Sequence, residues 1–410
     1  MTLDYRKLGL KVGLEIHQQL KTDTKLFCSC RASLSSKPPE FTFYRRLRPT
    51  QSELGVVDPA AAFEFQRGRG YVYEADMDTS CLVEMDEEPP HRLNEEAVDI
   101  GLMVAMMLNS RPVDEIHVMR KIVIDGSNTT GFQRTCIVSL GGEIVVEGKR
   151  IGIQSVSLEE DAARKVGEEG SITRYRIDRL CIPLVEIATA PEINDPEEAE
   201  KVALALGRVL RATGKVRRGL GTIRQDLNIS ISGGALTEIK GIQELELVKP
   251  IVEAEVRRQV GLLGIRDELM KRAATKEDLS VQGIDVSELF KDTGCKVLRS
   301  MLEKGHCITA LKLPKFAGLL GREIAPGIRF GTELSDYARF WGKSEGILHT
   351  DELPGYGITE DEVVKLRNAV GAEPCDAVVV IAQSRENISY SIRAILDRAA
   401  LAIEGDPSET

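Results

Sequence analysis

Residues 10–20 alternate apolar and polar side chains over most of their length. Leu14 and Ile16 belong to one face of a strand and Glu15 and His17 to the other, because successive side chains of a strand point to opposite sides of the sheet. The pattern predicts a half-buried strand whose polar face carries a carboxylate beside an imidazole. Such a pair can hold a divalent metal ion or support proton transfer, and a solvent-facing polar stripe is the alternative interpretation.

The first part of the chain has the pattern of short strands and turn residues that is typical of a β-rich fold. From residue 1 to about residue 245, short runs typical of strands are interrupted by Gly, Pro and Asn. Helices are predicted near residues 94–108 and 248–263. Another helix follows Asn194-Asp195-Pro196, where a capping side chain precedes a proline of the first turn, and it ends at Gly214.

Composition and patterning predict two domains. The 410 residues, 42% hydrophobic and 29% charged, are enough for more than one globular core. A polar, glycine-containing stretch begins near Thr275, and a new series of short strands and helices follows it. We therefore predict an α+β protein whose β-rich domain of antiparallel sheet and flanking helices spans residues 1–274. A smaller α+β domain is expected over residues 275–405 and a frayed tail over residues 406–410.

The net charge of −10 argues against nucleic-acid binding by the whole surface, because phosphates repel an acidic protein. Basic clusters at residues 44–48 and 208–218 are candidates for local RNA contact, with a solvated basic face as the alternative. The N-terminus lacks the pattern of a signal peptide, and the most apolar stretch, residues 100–108, is too short to cross a bilayer. We expect a soluble, cytoplasmic protein that does not bind membranes.

Eight cysteines are scattered along the chain, so a disulfide framework is not expected. Cys28 and Cys30 form a C-x-C pair with no C-x-x-C to complete a zinc site. Cys81 could join them, with Asp78 as an oxygen ligand three residues earlier. That ligand set is unusual, and structural zinc is not expected.

Two further segments place acids in predicted strands. Glu159, Glu160 and Asp161 are adjacent, and a cation is the simplest relief for their mutual repulsion, with an exposed loop as the alternative. Glu186 lies inside the apolar run 182–187. Because an isolated ionised carboxylate is costly to bury, Glu186 needs a metal ion or a neighbouring arginine.

Residues 224–240 predict a β-hairpin. A three-residue turn over residues 233–235 pairs Ser230 with Glu238, whereas a two-residue Gly-Gly turn would mix the polar and apolar faces. We prefer the longer turn, because the register of a strand follows its apolar face. The polar face, a candidate wall of a site, then consists of Asp226, Asn228, Glu238 and Lys240.

Residues 125–134, with the sequence DGSNTTGFQR, are rich in backbone N–H groups, hydroxyls and amides and contain one arginine. This composition suits a loop that cradles phosphate or carboxylate, and an ordinary surface turn is the alternative. The chain contains no Walker A motif and no complete G-x-G-x-x-G, so a nucleotide would have to bind by another design.

Together and in this order, these segments resemble the family of B and E subunits of tRNA-dependent amidotransferases. The resemblance covers residues 8 to about 245 almost continuously. Its motifs are VGLEIHQQLKTDTKLFCSC from Val12, LRPTQSELG from Leu47, DGSNTTGFQRT from Asp125, SLEEDAAR from Ser157, DRLCIPLVEIATAPEI from Asp178 and RGLGTIRQDLNISI from Arg218.

Two features favour the archaeal E-type subunits of glutamyl-tRNA(Gln) amidotransferase over the B type. B subunits carry C-x-C and C-x-x-C for zinc, and here the second pair reads Asp78-Thr79-Ser80-Cys81, with one cysteine absent. The region from about 290 to 400, including GREIAPGIRFGTELSDYARF from Gly321, resembles the insertion domain of bacterial aspartyl-tRNA synthetases, which E subunits carry. E subunits continue into helical and tail domains, and the chain to Thr410 is expected to lack both.

The resemblance implies a two-step reaction at one site. ATP phosphorylates the γ-carboxylate of the glutamate on tRNA(Gln), and ammonia then displaces phosphate to give Gln-tRNA(Gln). It also implies Mg²⁺ and an asparaginase-like D subunit that supplies ammonia, in a heterotetramer of two D and two E subunits. The alternatives are a non-catalytic tRNA-binding scaffold of the same fold and a B-type subunit that also acts on Asp-tRNA(Asn).

The resemblance also assigns roles to individual residues. A magnesium cluster is expected from Glu15, His17, Glu159 or Glu160, and Glu186, with His17 the least typical ligand for a hard cation. Catalytic roles at the phosphoryl-transfer and ammonia-entry side are expected for Glu15, His17, Asp226, Asn228, Glu238 and Lys240. Contacts to phosphate or to the aminoacyl end are expected from Asn128, Thr129, Thr130, Gly131, Gln133, Arg134 and Arg224.

Overall fold

The computed structural model describes residues 3–49, 55–66 and 68–405, so the tail predicted at residues 406–410 lies outside the described residues. Two compact units make up the described chain. The sheet unit comprises the described parts of residues 11–228 together with 238–249. The C-terminal unit comprises the described parts of residues 1–10, 229–237 and 250–410. The predicted boundary near Thr275 stays a prediction.

The fold is α+β, as predicted. Its strands are β1 Lys11–Gln19, β2 Phe41–Arg45, β3 Gly70–Ala75, β4 Arg111–Pro112, β5 Val118–Ile122, β6 Phe132–Leu140, β7 Glu143–Val146, β8 Lys149–Glu160, β9 Arg164–Glu169, β10 Ile172–Arg176, β11 Pro183–Thr189, β12 Ile223–Ser230, β13 Thr237–Ile242, β14 Ile284–Asp285, β15 Cys307–Leu313, β16 Glu323–Ala325, β17 Ile328–Arg329, β18 Ile347–His349 and β19 Ala377–Gln383. Its α-helices are α1 Pro59–Gln66, α2 Glu95–Met107, α3 Pro196–Ala212, α4 Val248–Lys271, α5 Lys296–Glu303, α6 Phe330–Gly342, α7 Glu360–Ala369 and α8 Ile388–Glu404.

A nine-stranded sheet forms the main layer of the sheet unit. Its strand order is β13-β12-β1-β11-β8-β6-β4, with β5 paired to β6 and β7 paired to β8. The pairs from β1 through β11, β8 and β6 to β4 are antiparallel. Strand β1 therefore lies between strands that come much later in the sequence, which is how its polar residues meet distant acids.

Two helices cover the apolar face of this sheet. Helix α2 begins after Asn94, whose side-chain oxygen accepts a hydrogen bond from the Ala97 amide at 3.0 Å. It packs on β6 and β8 so closely that a Cβ atom at Gly101 would lie 3.3 Å from Val138. Helix α3 begins after Asp195, as predicted, and packs on β1 and β7. Leu14 and Ile16 are fully buried, so the helices leave the opposite face of β1 for polar side chains.

Two predicted elements differ in length from the observed ones. Helix α4 extends eight residues beyond residue 263, because the buried residues Ile265 and Leu269 continue its apolar stripe. Strands β12 and β13 are neighbours, but residues 231–236 separate them instead of a three-residue turn. The Ser232 amide donates to the Leu8 carbonyl at 2.9 Å, which takes this part of the chain out of the hairpin ladder. The predicted cross-strand pairs of the hairpin stay predictions.

A second sheet of the sheet unit has the order β2-β3-β10-β9, with β3 and β10 parallel. Tyr71, Tyr73 and Tyr175 pack together at its core, with ring centroids 6.1–6.5 Å apart. The hydroxyl of Tyr73 donates to the Gly126 carbonyl at 2.7 Å, and the hydroxyl of Tyr175 donates to the Asp125 carbonyl at 2.9 Å. These bonds fix the start of the predicted anion-binding loop.

The C-terminal unit has its own four-stranded sheet, in the order β14-β15-β19-β18, with every neighbouring pair antiparallel. One core cluster includes Leu311, Phe316 and Phe330. A second includes Phe290 and Ile308. Strand β15 thus contributes alternate residues to two cores, which is the arrangement expected for a strand covered on both faces.

Among the described residues, no helix combines the length and the apolar character that a membrane span requires.

We predict that Gly126→Ala destabilises the fold much more than Gly131→Ala. Both glycines have positive φ angles, +81° and +75°, so either substitution costs about 1–2 kcal/mol of backbone strain. A Cβ atom at Gly126 would also lie 2.3 Å from the buried Tyr71 ring, whereas at Gly131 no heavy atom of the described residues, apart from the two chain neighbours, lies within 4 Å. The total loss at Gly126 is expected to be about 2–5 kcal/mol. Denaturant unfolding monitored by circular dichroism measures the difference, and equal losses would contradict the packing argument.

Candidate active site

The polar face of the nine-stranded sheet gathers acids from distant parts of the sequence. His17 of β1 lies directly opposite Glu186 of β11, and Glu186 lies opposite Ser157 of β8. Glu159 is two residues further along β8 and therefore points to the same side as Ser157. On the other flank of β1, strand β12 contributes Asp226. Four adjacent strands thus supply one cluster.

His17 is at the centre of this cluster, and both of its ring nitrogens face carboxylates. Nδ1 lies 2.7 Å from Oε1 of Glu159 and 3.8 Å from Oε2 of Glu186, and Nε2 lies 3.5 Å from Oδ2 of Asp226. Burial would lower the pKa of His17, but the facing carboxylates of Asp226, Glu159 and Glu186 outweigh it and raise the pKa to about 9. The ring is therefore an imidazolium at neutral pH in the metal-free protein.

Lys121 completes the cluster. Its Nζ lies 2.9 Å from Oε2 of Glu186 and 3.2 Å from Oε2 of Glu159. Burial alone would raise the pKa of Glu159. The charges and hydrogen bonds of His17 and Lys121 outweigh burial and lower the pKa to about 2. Burial and the charge of Glu159 raise the pKa of Glu186. No sequence motif pointed to Lys121, because its role depends on β5 pairing with β6 and β6 pairing with β8.

The ligand atoms form two overlapping groups. His17, Glu159 and Glu186 make one group and Glu15, His17 and Asp226 the other, and within each group the atoms lie within 4.8 Å of one another. Carboxylate oxygens are the ligands that Mg²⁺ prefers, and His17 is the less typical member. The structure therefore brings together the predicted metal residues Glu15, His17, Glu159 and Glu186.

The hairpin residues line one side of these groups. Asn228 donates from Nδ2 to Oε1 of Glu15 at 3.0 Å. Oδ1 of Asp226 accepts the Gly241 amide at 2.7 Å, which fixes the carboxylate. Lys240 lies 2.7 Å from Glu238 and is largely exposed. The catalytic roles of these residues stay predictions.

Glu160 is the predicted ligand that the structure does not place in the cluster. It follows Glu159 in β8 and points to the opposite face of the sheet. There its carboxylate accepts the Arg134 backbone amide at 3.0 Å and the Arg134 guanidinium at 2.7 Å, and the Cys181 thiol lies at 3.2 Å. Both carboxylate oxygens have partners, so Glu160 supports the fold beneath the cluster.

Most polar side chains of the predicted anion-binding loop bond within the protein. Thr129 donates its hydroxyl to the Glu84 carbonyl at 2.6 Å, Thr130 donates to the Phe132 carbonyl at 2.6 Å, and Gln133 donates to the Glu160 carbonyl at 2.6 Å. Asn128 and Arg134 are buried, and Arg224 Nη1 lies 3.5 Å from Oδ1 of Asp161. Gly131 remains open, since apart from its chain neighbours none of the residues that the structure describes comes within 4 Å of its Cβ position. The ligand contacts expected of these residues stay predictions.

A second candidate metal site lies around Glu84. The sulfur atoms of Cys28, Cys30 and Cys81 and a carboxylate oxygen of Glu84 lie within 4.8 Å of one another. Glu84 is buried, Cys28 Sγ lies 2.9 Å from its Oε1, and Lys25 Nζ lies 3.2 Å from the same oxygen. Three thiols and one carboxylate supply four ligand atoms, the number that a tetrahedral zinc site requires.

The sequence analysis paired these cysteines with Asp78, whereas Asp78 forms an exposed ion pair with Lys37. The signal that identifies Glu84 is its spacing, because Cys81 and Glu84 repeat the C-x-x-C interval with a carboxylate in the last position. The geometry therefore favours a zinc ligand set that a count of cysteines misses.

We predict that His17 stabilises the metal-free protein at low but not at high pH. Its folded pKa of about 9 exceeds the ordinary value of 6.5, so the stabilisation is fully present below pH 6.5 and is lost as the pH rises through 9. The unfolding free energy of wild type minus that of His17→Asn, measured in a metal chelator, should fall over this range. A difference that does not vary with pH would contradict the assignment.

Comparison with known proteins identifies the family of the chain. The profile of the GatB/GatE catalytic domain matches residues 10–333, and the profile of the GAD domain matches residues 298–391. The E subunit of glutamyl-tRNA(Gln) amidotransferase from Aeropyrum pernix is 58% identical over 410 residues. The E subunits from Sulfolobus acidocaldarius and Saccharolobus solfataricus are each 53% identical over 411 residues.

These alignments cover 100% of this chain and 64% of each relative, so the chain spans 64% of the length of these relatives. The first profile alone covers more than half of the chain and includes every residue of the cluster around His17. The chain belongs to the GatB/GatE catalytic domain family.

Proposed function

We propose that this chain is the ATP-dependent subunit that converts Glu-tRNA(Gln) to Gln-tRNA(Gln). The observation that supports the proposal best is the convergence of Glu159, Glu186, Asp226 and Glu15 around His17 on one sheet face. A purely structural sheet has no need to bury so many acids, because desolvating each ionised carboxylate costs free energy. The names of the relatives supply the substrate.

The chemistry requires activation of a poor electrophile. An oxygen of the substrate γ-carboxylate attacks the γ-phosphorus of ATP, a new O–P bond forms, and the bond to the β–γ bridging oxygen breaks to release ADP. Ammonia then attacks the carbonyl carbon, a C–N bond forms, and the C–O bond to phosphate breaks. The products are the γ-amide and inorganic phosphate.

The chain's own residues fit these steps. Bound Mg²⁺, held by Glu159 and Glu186 with His17, with Glu15 in the adjoining group, would neutralise charge on the phosphoryl oxygens. Asp226 has a lowered pKa, for although burial opposes ionisation, the His17 ring and the Gly241 amide favour it. It is therefore ionised at neutral pH and is the group that we assign to accept a proton from the attacking ammonia.

Ammonia must reach this site from another source. By the E-type resemblance, an asparaginase-like D subunit supplies the ammonia. The two kinds of subunit would form a cytoplasmic heterotetramer of two D and two E subunits. Glu-tRNA(Gln) is the second partner. The E-type interpretation is supported by the GAD profile over residues 298–391 and by relatives whose names identify them as E subunits.

We also propose that Cys28, Cys30, Cys81 and Glu84 hold a structural zinc ion. The sequence alone disfavoured zinc because it offered only three cysteines. The buried carboxylate of Glu84 supplies the fourth ligand atom, and Lys25 balances part of the negative charge. The Glu84 carbonyl also accepts the Thr129 hydroxyl, so the ion would stabilise the loop at residues 125–134.

The reaction can be tested with ammonium chloride as the nitrogen source, so that no partner is needed. Glu186→Gln is expected to lower ATP-dependent formation of Gln-tRNA(Gln) at least about 100-fold, because it removes a charged ligand from the site of phosphoryl transfer. Glu143→Gln is the matched control, since Glu143 of β7 pairs with Arg150 at the start of β8, at the opposite end of that strand from Glu159. Unchanged formation of the γ-phosphoryl intermediate by Glu186→Gln would refute the assignment.

A measurement of ATP binding distinguishes the enzyme from the alternative, a non-catalytic tRNA-binding scaffold. Calorimetry of the wild-type chain with ATP and magnesium should show saturable binding, whereas a scaffold would show none. The B-type alternative is tested by replacing Glu-tRNA(Gln) with Asp-tRNA(Asn) in the ammonium assay. A B-type subunit should amidate both aminoacyl-tRNAs, whereas an E-type subunit should amidate Glu-tRNA(Gln) alone.

The zinc proposal predicts about one zinc ion per chain by elemental analysis. Cys81→Ser should reduce the zinc content and lower the thermal unfolding midpoint. Cys375→Ser is the control, because Cys375 is exposed and lies in the C-terminal unit. A purified wild-type chain without zinc that could not be loaded with it would overturn the proposal.

A further inference from the structure

Lys121 already places a positive charge where a metal ion would bind. Its ammonium bridges Glu159 and Glu186 at 3.2 and 2.9 Å, and these two carboxylates with His17 form one of the two candidate ligand groups. We infer that Lys121 is an exchangeable counter-ion: its ammonium neutralises the metal pocket while it is empty and leaves when a divalent cation enters. This inference rests on the metal site of the proposed function.

The empty pocket needs such a charge. Glu159 and Glu186 are 1% and 8% exposed, and like charges in a buried site repel strongly because water cannot screen them. His17 lies among the carboxylates of Glu159, Glu186 and Asp226, at 2.7, 3.8 and 3.5 Å. The ammonium of Lys121 lies between Glu159 and Glu186 and offsets part of the repulsion between them.

The same lysine can leave without disturbing the fold. Its side chain is 50% exposed, although Glu159, which it contacts, is almost completely buried. Strand β5 lies outside the main strand order and pairs with β6, and all five of its residues are exposed. Rotation about the flexible four-carbon stem carries the ammonium into solvent while the backbone stays paired.

A metal ion and the ammonium cannot occupy the pocket together. An ion bound by both carboxylates lies about 2.0–2.6 Å from their oxygens. The ammonium contacts one oxygen of each of the same two carboxylates, at 2.9 and 3.2 Å, so the two cations would lie close together and repel each other. Metal binding is therefore an exchange, and the lysine lowers the affinity of the empty protein for divalent cations.

After the exchange, the four-carbon side chain of Lys121 keeps the ammonium close to the pocket. Oxygen atoms of a nucleotide phosphate are the natural new partner for a displaced ammonium, because lysine binds phosphate as a point charge. The nucleotide would then strengthen metal binding by stabilising the displaced lysine. Lys121 would then couple the binding of the divalent cation to the binding of the nucleotide.

The test measures Mn²⁺ binding to the whole chain by electron paramagnetic resonance, without measuring turnover. Lys121→Met is expected to increase the Mn²⁺ affinity of the nucleotide-free protein at least about tenfold, because the competing cation is gone. ATP should increase Mn²⁺ affinity more in the wild type than in the variant. Lys121→Arg, which keeps a cation, should remain close to the wild type.

Arg120→Met is the matched control. It removes the same charge from the adjacent residue of β5, whose guanidinium stacks over the Phe132 ring at 4.6 Å. Successive strand residues point to opposite faces, so Mn²⁺ affinity should change less than about twofold. Lys121→Gln provides a second neutral variant if Lys121→Met does not fold.

The outcomes separate this inference from the proposed function. One outcome is that the wild type binds Mn²⁺ as tightly as, or more tightly than, the variants Lys121→Met and Lys121→Gln. That result would refute the exchange of Lys121 with the metal ion but leave the metal site supported. If neither the wild type nor the variants bind Mn²⁺, the metal site fails and the exchange fails with it. An affinity gain equal to that of Arg120→Met would also overturn it, because it would reflect net charge alone.

Discussion

Charge compensation on one face of a sheet is the constraint on which the rest of this structure depends. The acids of β1, β8, β11 and β12 can lie together only because an imidazolium and an ammonium lie among them. The opposite face meets the ordinary requirement of apolar packing against α2 and α3. The sheet thus combines a stable layer with a polar surface on which two cations offset part of the charge of four carboxylates.

Much of this arrangement could be predicted from the sequence, because its local signals are strong. The alternation of residues 10–20, the caps at Asn94 and Asp195, and the apolar run around Glu186 predicted strands and helices that the structure contains. The acids proposed as metal ligands were identified from the same alternation and from the family resemblance. Both kinds of signal depend on residues that are close in sequence.

The parts that sequence reasoning missed depend on contacts across strands. Lys121 reaches Glu159 only through the pairing of three strands, and no local pattern encodes that register. Glu84 was overlooked because a carboxylate took the place expected for a cysteine. Glu159 and Glu160 could not be told apart, since either could face the cluster until the pairing of β8 with β11 was known.

These two neighbouring glutamates have a consequence for how such a sheet can evolve. Glu159 serves the charged face and Glu160 anchors Arg134 on the other, and the unbroken pairing of residues 155–160 with β11 sets which glutamate faces which side. Inserting or deleting one residue in β8 would exchange the two carboxylates and ruin both environments at once. The number of residues in β8 up to Glu159 is therefore constrained by the site, in addition to the identity of the two glutamates.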